Sequence, residues 1–183
     1  LRKKPENRIF YVKEGFVTVA LSWIVLSVMG SIPFLLTRSI TNPVDALFET
    51  VSGFTTTGAS ILTDVEVLSK SVLFWRSFTH WIGGMGVLVF LLAIVHMKGG
   101  GSHMNLMKAE SPGPSVSKLV PTVRSTAKIL YLIYVAMTVI EIILLLIGKM
   151  PLFDALTISF GTAGTGGFGI KNDSMAGYSV YQQ

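Results

Sequence analysis

The segment VDALFETVSGFTTTGAS, residues 44–60, lies between two long apolar runs and decides how the chain folds. It begins with the composition of a short helix and ends in Ser, Gly and Thr residues, which do not favour helix continuation. A matching segment, FDALTISFGTAGTGGFG, occupies residues 153–169 after another apolar run, and the two align without a gap. A polar re-entrant loop between membrane spans, repeated in one chain, predicts a pore.

The composition is that of a membrane protein. Half of the 183 residues are hydrophobic and 14% are charged, whereas an average soluble domain carries roughly 25% charged residues. The net charge of +5 is spread over several loops rather than gathered in one patch, which argues against nucleic-acid binding. The chain has no cysteine, which excludes disulfides and thiolate metal sites.

Three apolar runs are long enough to cross a membrane. Residues 15–36 are 22 positions without Asp, Glu, Lys or Arg, enough to span a hydrocarbon core about 30 Å thick. Residues 77–97 are a second charge-free run, and residues 129–148 are a third, interrupted only by Glu141. We therefore predict three membrane-spanning helices.

The distribution of Lys and Arg predicts the orientation of these helices. Two segments are rich in them, and the two segments that contain the Gly/Thr loops are poorer but carry six acidic residues. The positive-inside rule places the basic segments in the cytoplasm and both Gly/Thr loops at the outer face, where the acidic residues would concentrate cations. The basic residues on the cytoplasmic side are Arg2, Lys3, Lys4, Arg8, Lys13, Lys98, Lys108, Lys118, Arg124 and Lys128.

The chain divides into four parts. Residues 1–14 form a basic cytoplasmic flank, and residues 15–97 form a complete unit of helix, pore loop and helix. Residues 98–128 form a cytoplasmic linker rich in Gly, Ser and Pro. Residues 129–183 form a second unit that lacks its closing helix. The opening Leu and the unfinished second unit predict that the chain is part of a longer protein.

Both Gly/Thr loops have the makeup of an ion-selectivity filter. Irregular backbone is tolerated at membrane depth only where protein buries it or water reaches it, and its free carbonyls can replace an ion's hydration shell. Glycine adopts φ > 0 without steric cost, which lets successive carbonyls face one axis. The expected ligands are Thr55, Thr56, Thr57 and Gly58 in one loop and Gly164, Thr165, Gly166 and Gly167 in the other.

Each of these features also has a purely structural interpretation. A single Gly/Thr turn commonly connects membrane helices, whereas two gap-free copies favour the filter. The glycines at 164, 166 and 169 spell GxGxxG, but without a preceding strand they do not indicate a nucleotide site. His80 and His96 lie 16 residues apart, which favours a packing or hydrogen-bonding role for His80 over metal binding.

Two interpretations stay open for several residues near the loops. The glycines of HWIGGMG, residues 80–86, permit close helix packing or form a gating hinge. Arg76 either extends to lipid headgroups or braces the pore loop. Glu49 serves the ion path or caps a polar pocket behind the filter. Glu141 is functional, lies near an interface, or pairs with a basic residue elsewhere in the protein.

The strings FETVSGFTTTGAS and FWRSFTHWIGGMGV resemble the TrkH/KtrB family of bacterial potassium-uptake proteins. AESPGP and GTAGTGGFG fit the same family, so the resemblance covers essentially the whole chain. It implies an all-α membrane protein of four tandem units around a pseudo-fourfold pore, of which about one and a half are present. It also implies that Gly58 and Gly167 are filter glycines and that K⁺ binds only at the filter residues.

The resemblance further implies the setting in which the protein works. We expect a multi-pass protein of the bacterial cytoplasmic (inner) membrane, in contact with lipid, with its N-terminus in the cytoplasm. We expect a homodimer that docks on a cytosolic ring binding ATP or NAD. The implied function is K⁺ uptake, down the electrochemical gradient or coupled to H⁺ or Na⁺ by symport, without catalysis or a bound cofactor. The alternative is a non-conducting membrane module with a structural or regulatory role in a larger complex.

Overall fold

The computed structural model describes residues 12–86 and 123–183, and these two ranges contain five helices and no strand. The all-α fold class expected from the sequence is confirmed. Most of the predicted cytoplasmic flank, most of the linker, His96 and the second half of the run at residues 77–97 lie outside the described residues. The helices are α1 (Val12–Leu36), α2 (Pro43–Phe54), α3 (Lys70–Gly84), α4 (Val123–Ile147) and α5 (Leu152–Ala163).

Helices α1 and α4 are the two in the described ranges that are long and apolar enough to cross a membrane. Both carry exposed apolar side chains, such as Ile24 at 59% and Leu132 at 68% exposure. A helix that is apolar on every side is stable only in a core or in a bilayer. Within the described residues these side chains are not covered by protein, which leaves them available to contact lipid or other parts of a longer protein.

The two short helices begin at residues that favour a helix start. The Asn42 side chain accepts a hydrogen bond of 2.9 Å from the backbone N–H of Val44, and Pro43 occupies the first turn of α2. An Asn that caps the helix and a Pro in the first turn are both typical of helix N-termini. Helix α5 begins directly after Pro151. Each short helix also has an Asp in its first turn, which interacts favourably with the helix dipole.

Helix α3 lies at the centre of the described packing. It contacts α1, α2 and α5, while α4 packs on α5. The Trp75 indole donates to the Gly30 carbonyl of α1 at 2.9 Å, and the Tyr134 hydroxyl of α4 donates to the Trp81 carbonyl at 2.9 Å. Aromatic rings fill the contact between α3 and α5; they belong to Phe74, Phe78, Trp81 and Phe160.

Two glycines near the end of α3 let both short helices approach it closely. A Cβ on Gly83 would overlap the carbonyl oxygen of Phe54 at the end of α2. A Cβ on Gly84 would lie 2.7 Å from the Cα of Gly164, which follows α5. The structure thus supports close packing as the role of these glycines. A hinge at Gly86, where φ is +66°, stays a prediction.

Candidate functional site

The segments after α2 and α5 have the same backbone hydrogen bonds. We call residues 55–60 the first loop and residues 164–169 the second loop. In each, three successive backbone N–H groups turn back to carbonyls of the last helical turn, at 2.8 to 3.1 Å. The donors are Thr55, Thr56 and Thr57 in the first loop and Gly164, Thr165 and Gly166 in the second. Both helices therefore end in one type of C-terminal motif.

The backbone dihedral angles of the two loops also match. Thr56 has φ +54° and Thr165 has φ +55°. Two residues further on, Gly58 has φ +76° and Gly167 has φ +83°. A positive φ is uncommon for threonine and costs glycine nothing. The two loops thus share one conformation at the positions that the sequence alignment pairs.

The two loops meet at predicted ligand positions. Gly58 lies so close to the second loop that an added Cβ would overlap the carbonyl oxygen of Gly166. Gly167 has open space instead, because an added Cβ there would meet nothing within 4 Å. The structure therefore brings Gly58 and Gly166 together and leaves one side of Gly167 uncovered by the described residues.

Several loop carbonyls are available as ligands. The carbonyl oxygens of Thr56, Thr57, Gly58, Thr165 and Gly167 receive no hydrogen bond from any donor in residues 12–86 or 123–183. Backbone carbonyls need a partner such as water or an ion when protein supplies none. The hydroxyl groups of Thr55 and Thr57 are less available as ligands than these carbonyls, because they already form hydrogen bonds. Thr55 donates to the Val51 carbonyl at 2.7 Å, so the 2.8 Å contact between the Thr55 and Thr57 hydroxyls uses the Thr57 proton.

His80 of α3 packs behind the second loop. Its side chain is fully buried, and an added Cβ on Gly166 would overlap the imidazole ring. The ring centre lies 4.0 Å from that of Phe168. Neither ring nitrogen has a well-aligned hydrogen-bond partner among the described residues. His80 thus packs against the second loop, with backbone groups of Gly166 and Arg76 beside its ring.

A buried ion pair joins α2 to α3 behind the loops. The Arg76 Nε donates to a Glu49 carboxylate oxygen at 2.6 Å, and the side chains are 4% and 0% exposed. Such burial keeps Arg76 away from lipid headgroups. Its Nη1 donates to the Gly169 carbonyl at 2.8 Å, and its guanidinium carbon lies 3.7 Å from the centre of the Phe168 ring. Arg76 therefore braces the second loop.

Glu49 makes the corresponding contacts to the first loop and its continuation. The Ser60 hydroxyl reaches both carboxylate oxygens, at 2.9 and 3.1 Å. The backbone N–H of Ile61 donates to the carboxylate at 3.1 Å. With three donors around a fully buried carboxylate, Glu49 lies in a polar pocket behind the loop, one of the two roles predicted for it.

Glu141 occupies a third polar position near the loops. It is half-buried on α4 and lies beside Thr162 in the last turn of α5. Thr162 is three residues from Thr165 of the second loop. The structure thus places the carboxyl against α5. Whether it has a function or pairs with a residue elsewhere in the protein stays a prediction.

Two contact residues are missed by sequence reasoning. Phe168 supports both Arg76 and His80, yet the repeat pairs it with Ala59, so the alignment carries no signal for it. Asn172 ties the second unit to the first: its side chain accepts from the Val65 N–H at 2.9 Å and donates to Asp64 at 2.8 Å. This hydrogen bond lowers the pKa of the Asp64 carboxyl. Asn172 belongs to no sequence motif, and Phe168 lies within GTAGTGGFG at a position for which the motif predicts no contact.

Comparison with known families decides where the chain belongs. A family model described as "TrkH: Cation transport protein" matches residues 1–181. The chain belongs to the TrkH family. The crystal structure of the potassium transporter TrkH from Vibrio parahaemolyticus has a similar fold, with a TM-score of 0.74 and 32% identity over 99% of this chain and 35% of that one. Family membership and the two apolar helices establish a membrane protein.

Curated TrkH relatives match most of this chain. The "Trk system potassium uptake protein TrkH" of Halomonas elongata is 42% identical over 168 residues, which are 91% of this chain and 34% of that protein. The protein of the same name from Escherichia coli has the same identity and coverage. The chain therefore spans 34% of the length of these TrkH relatives.

Proposed function

We propose that this TrkH-family chain supplies two pore loops of a potassium-uptake protein and that the loops bind K⁺ with backbone carbonyls. The observation that carries the proposal is the shared conformation of the two loops. Each loop follows a short helix with the same hydrogen bonds and dihedral angles, and each has carbonyls without a partner in the described residues. The two loops meet where Gly58 contacts Gly166. The potassium-uptake names of the relatives support the choice of ion.

The mechanism is replacement of water by fixed oxygens. A K⁺ ion that enters the loops exchanges part of its hydration shell for the carbonyls of residues 55–58 and 164–167. The C-terminal ends of α2 and α5 precede the loops, and their partial negative charge favours a cation. Two loops cannot enclose an ion. Conduction is therefore a property of a polypeptide of the relatives' length, with four units around the pore, as the family resemblance implies.

The cellular setting follows from the basic segments and the resemblance. The protein lies in the bacterial inner membrane with its N-terminus and the linker at residues 98–128 in the cytoplasm, and both loops face outward. It works as a homodimer on a cytosolic ring that binds ATP or NAD. Transport runs down the electrochemical gradient or by symport with H⁺ or Na⁺, and no enzymatic step takes place.

Replacing Gly58 with Ser in the full-length protein tests the filter. The added Cβ disfavours φ +76° and would overlap the Gly166 carbonyl. A left-handed conformation costs a non-glycine residue roughly 1–2 kcal/mol, so we expect the preference for K⁺ over Na⁺ to fall about tenfold. Tracer uptake into proteoliposomes with Na⁺ as competitor measures this preference. Ala59→Ser, an exposed position in the same loop, is the matched control, and an unchanged preference in Gly58→Ser contradicts the proposal.

Complementation separates transport from the structural alternative. The intact gene should restore growth at limiting K⁺ to a bacterial strain that lacks potassium-uptake systems. If the protein reaches the membrane in normal amount together with its cytosolic partner and growth is not restored, a non-conducting role in a larger complex is favoured instead.

A further inference from the structure

We infer that the Glu49–Arg76 pair is a positioning element that holds the first and second loops in register and thereby sets ion selectivity. The inference rests on the proposed function of these loops as a filter. It goes beyond that proposal because neither side chain is a ligand of the ion. Both act through the backbone that follows each loop's positive-φ glycine.

On the side of the first loop, the contact is made by Glu49. Its carboxylate accepts the Ser60 hydroxyl and the Ile61 N–H. Ser60 lies two residues after Gly58. The carboxylate therefore holds the C-terminal end of the first loop in place, just after the glycine that contacts Gly166. Because Glu49 belongs to α2, it connects the end of the first loop to the helix that precedes this loop.

On the side of the second loop, the contact is made by Arg76. Its Nη1 donates to the Gly169 carbonyl at 2.8 Å while its guanidinium carbon lies over the Phe168 ring, 3.7 Å from the ring centre. Gly169 lies two residues after Gly167. Arg76 therefore holds the second loop at the position that the alignment pairs with Ser60. One ion pair thus joins equivalent points of two loops that are 109 residues apart in sequence.

Within the part of the chain that the structure describes, the pair has no counterpart in the second unit. The alignment pairs Glu49 with Ile158 of α5, so the second unit has no carboxylate at the corresponding position. The second loop is held instead from the first unit, by Arg76. Arg76 therefore adds to the packing contacts between the units a contact that joins the two loops through charged side chains.

The geometry demands arginine and not merely a positive charge. Arg76 donates to Glu49 and to Gly169 from two nitrogens of one guanidinium while the carbon of that guanidinium lies over the ring of Phe168. A guanidinium offers several donors in a rigid fork and stacks on aromatic rings. A lysine ammonium is a point charge that pairs with the carboxylate but cannot also cover the ring. Lysine would keep the ion pair and release the second loop.

This difference provides the test, in the full-length protein reconstituted in proteoliposomes. We expect Arg76→Lys to lower the preference of uptake for K⁺ over Na⁺ about tenfold, a size typical of losing the coupling between residues in contact. Arg38→Lys is the matched control, because Arg38 is exposed and makes no ion pair within the described residues. A merely structural role would reduce the amount of folded protein and the uptake of both ions equally, leaving their ratio unchanged.

A second variant covers the case in which Arg76→Lys fails to fold. The double variant Glu49→Gln/Arg76→Gln leaves no unpaired buried charge, and neutral replacement of a buried pair is often tolerated. We expect its ion preference to fall as well. A wild-type preference in the folded pair variants, with a lowered preference in Gly58→Ser, overturns the positioning role and leaves the filter in place. A wild-type preference in Gly58→Ser too overturns the filter proposal itself.

Discussion

Adjacent glycines of the second loop are required for different physical reasons. Gly166 has no room for a side chain, because an added Cβ would overlap the His80 ring. Gly167 has room, but its φ of +83° is unfavourable for any other residue. One position is set by packing against α3 and the other by backbone conformation, and the two causes can be separated by mutation.

We predict that Gly166→Ala destabilises the full-length protein more than Gly167→Ala. Overpacking costs about 1–3 kcal/mol, and we expect the upper part of that range for Gly166→Ala because the added methyl overlaps several atoms of the buried His80 ring. Alanine at a positive φ costs roughly 1–2 kcal/mol. Thermal unfolding in detergent, followed by loss of the monodisperse peak in size-exclusion chromatography, ranks the two variants. If Gly167→Ala is the less stable, the His80 contact is not the constraint that the structure indicates.

Rescue by a second substitution isolates the His80 contact. His80→Ala removes the ring that meets Gly166, so Gly166→Ala should cost less in the His80→Ala background than in the wild type. The coupling between residues in contact is typically 0.5–3 kcal/mol, or roughly 2- to 150-fold in the unfolding equilibrium. Additive effects of the two changes would contradict a direct contact. The same double substitution at Gly167 should show no coupling, since nothing lies near an added Cβ there.

For single residues, the sequence predicts the backbone conformation better than it predicts side-chain contacts. The sequence predicts a positive φ at glycines of the two loops, because glycine in a polar loop is a direct signal of a special backbone, but it carries no such signal for Thr56 and Thr165. It does not predict the role of Phe168, because the importance of this residue comes from Arg76 and His80, which lie far from it in sequence. Contacts of that kind are set by packing, and no local pattern records them.

Among the elements, α3 determines where both short helices end. Gly83 lets the carbonyl of Phe54 approach α3 closely, and Gly84 lets the backbone of Gly164 approach α3 closely. Backbone atoms cannot move aside as a flexible side chain can. The position of α2 and α5 against α3 is therefore sensitive to a single methyl group on this face of the helix.

Gly83→Ala should therefore cost clearly more stability than Gly148→Ala. The first would meet the Phe54 backbone, and the second would meet the ring of Tyr181, whose side chain is 61% exposed and can turn away. We expect a loss of about 1–3 kcal/mol for Gly83→Ala. Thermal unfolding of both variants, measured side by side in one detergent, checks this. Equal losses would mean that α2 can shift along α3 without penalty.

The bounds of α3 show what an apolar run can and cannot predict. The charge-free run begins at residue 77, whereas the helix begins at Lys70. The absence of charge identifies only the part of a helix that tolerates lipid. Arg76 lies inside the helix because Glu49 neutralises it within the protein. A buried ion pair between distant residues is invisible to a scan for charge, so the helix extends beyond its apolar run.

At the scale of the whole molecule, side-chain contacts between the two units determine how they pack. The Glu49–Arg76 pair and the hydrogen bonds of Asn172 join the units on one side of α3. The orientation in the membrane is predicted from the sequence, through the energetic bias that keeps Lys and Arg in the cytoplasm.

Cysteine labelling tests that orientation directly. The chain has no cysteine of its own, so single cysteines can be introduced into a cysteine-free form of the full-length protein. We expect Val67→Cys, at a position that is 75% exposed beyond the first loop, to react with a membrane-impermeant maleimide in intact cells. Ser115→Cys, in the segment predicted to be the cytoplasmic linker, should react only after permeabilisation. The reverse pattern would place the loops in the cytoplasm, where the outer acidic residues could not concentrate K⁺ for uptake.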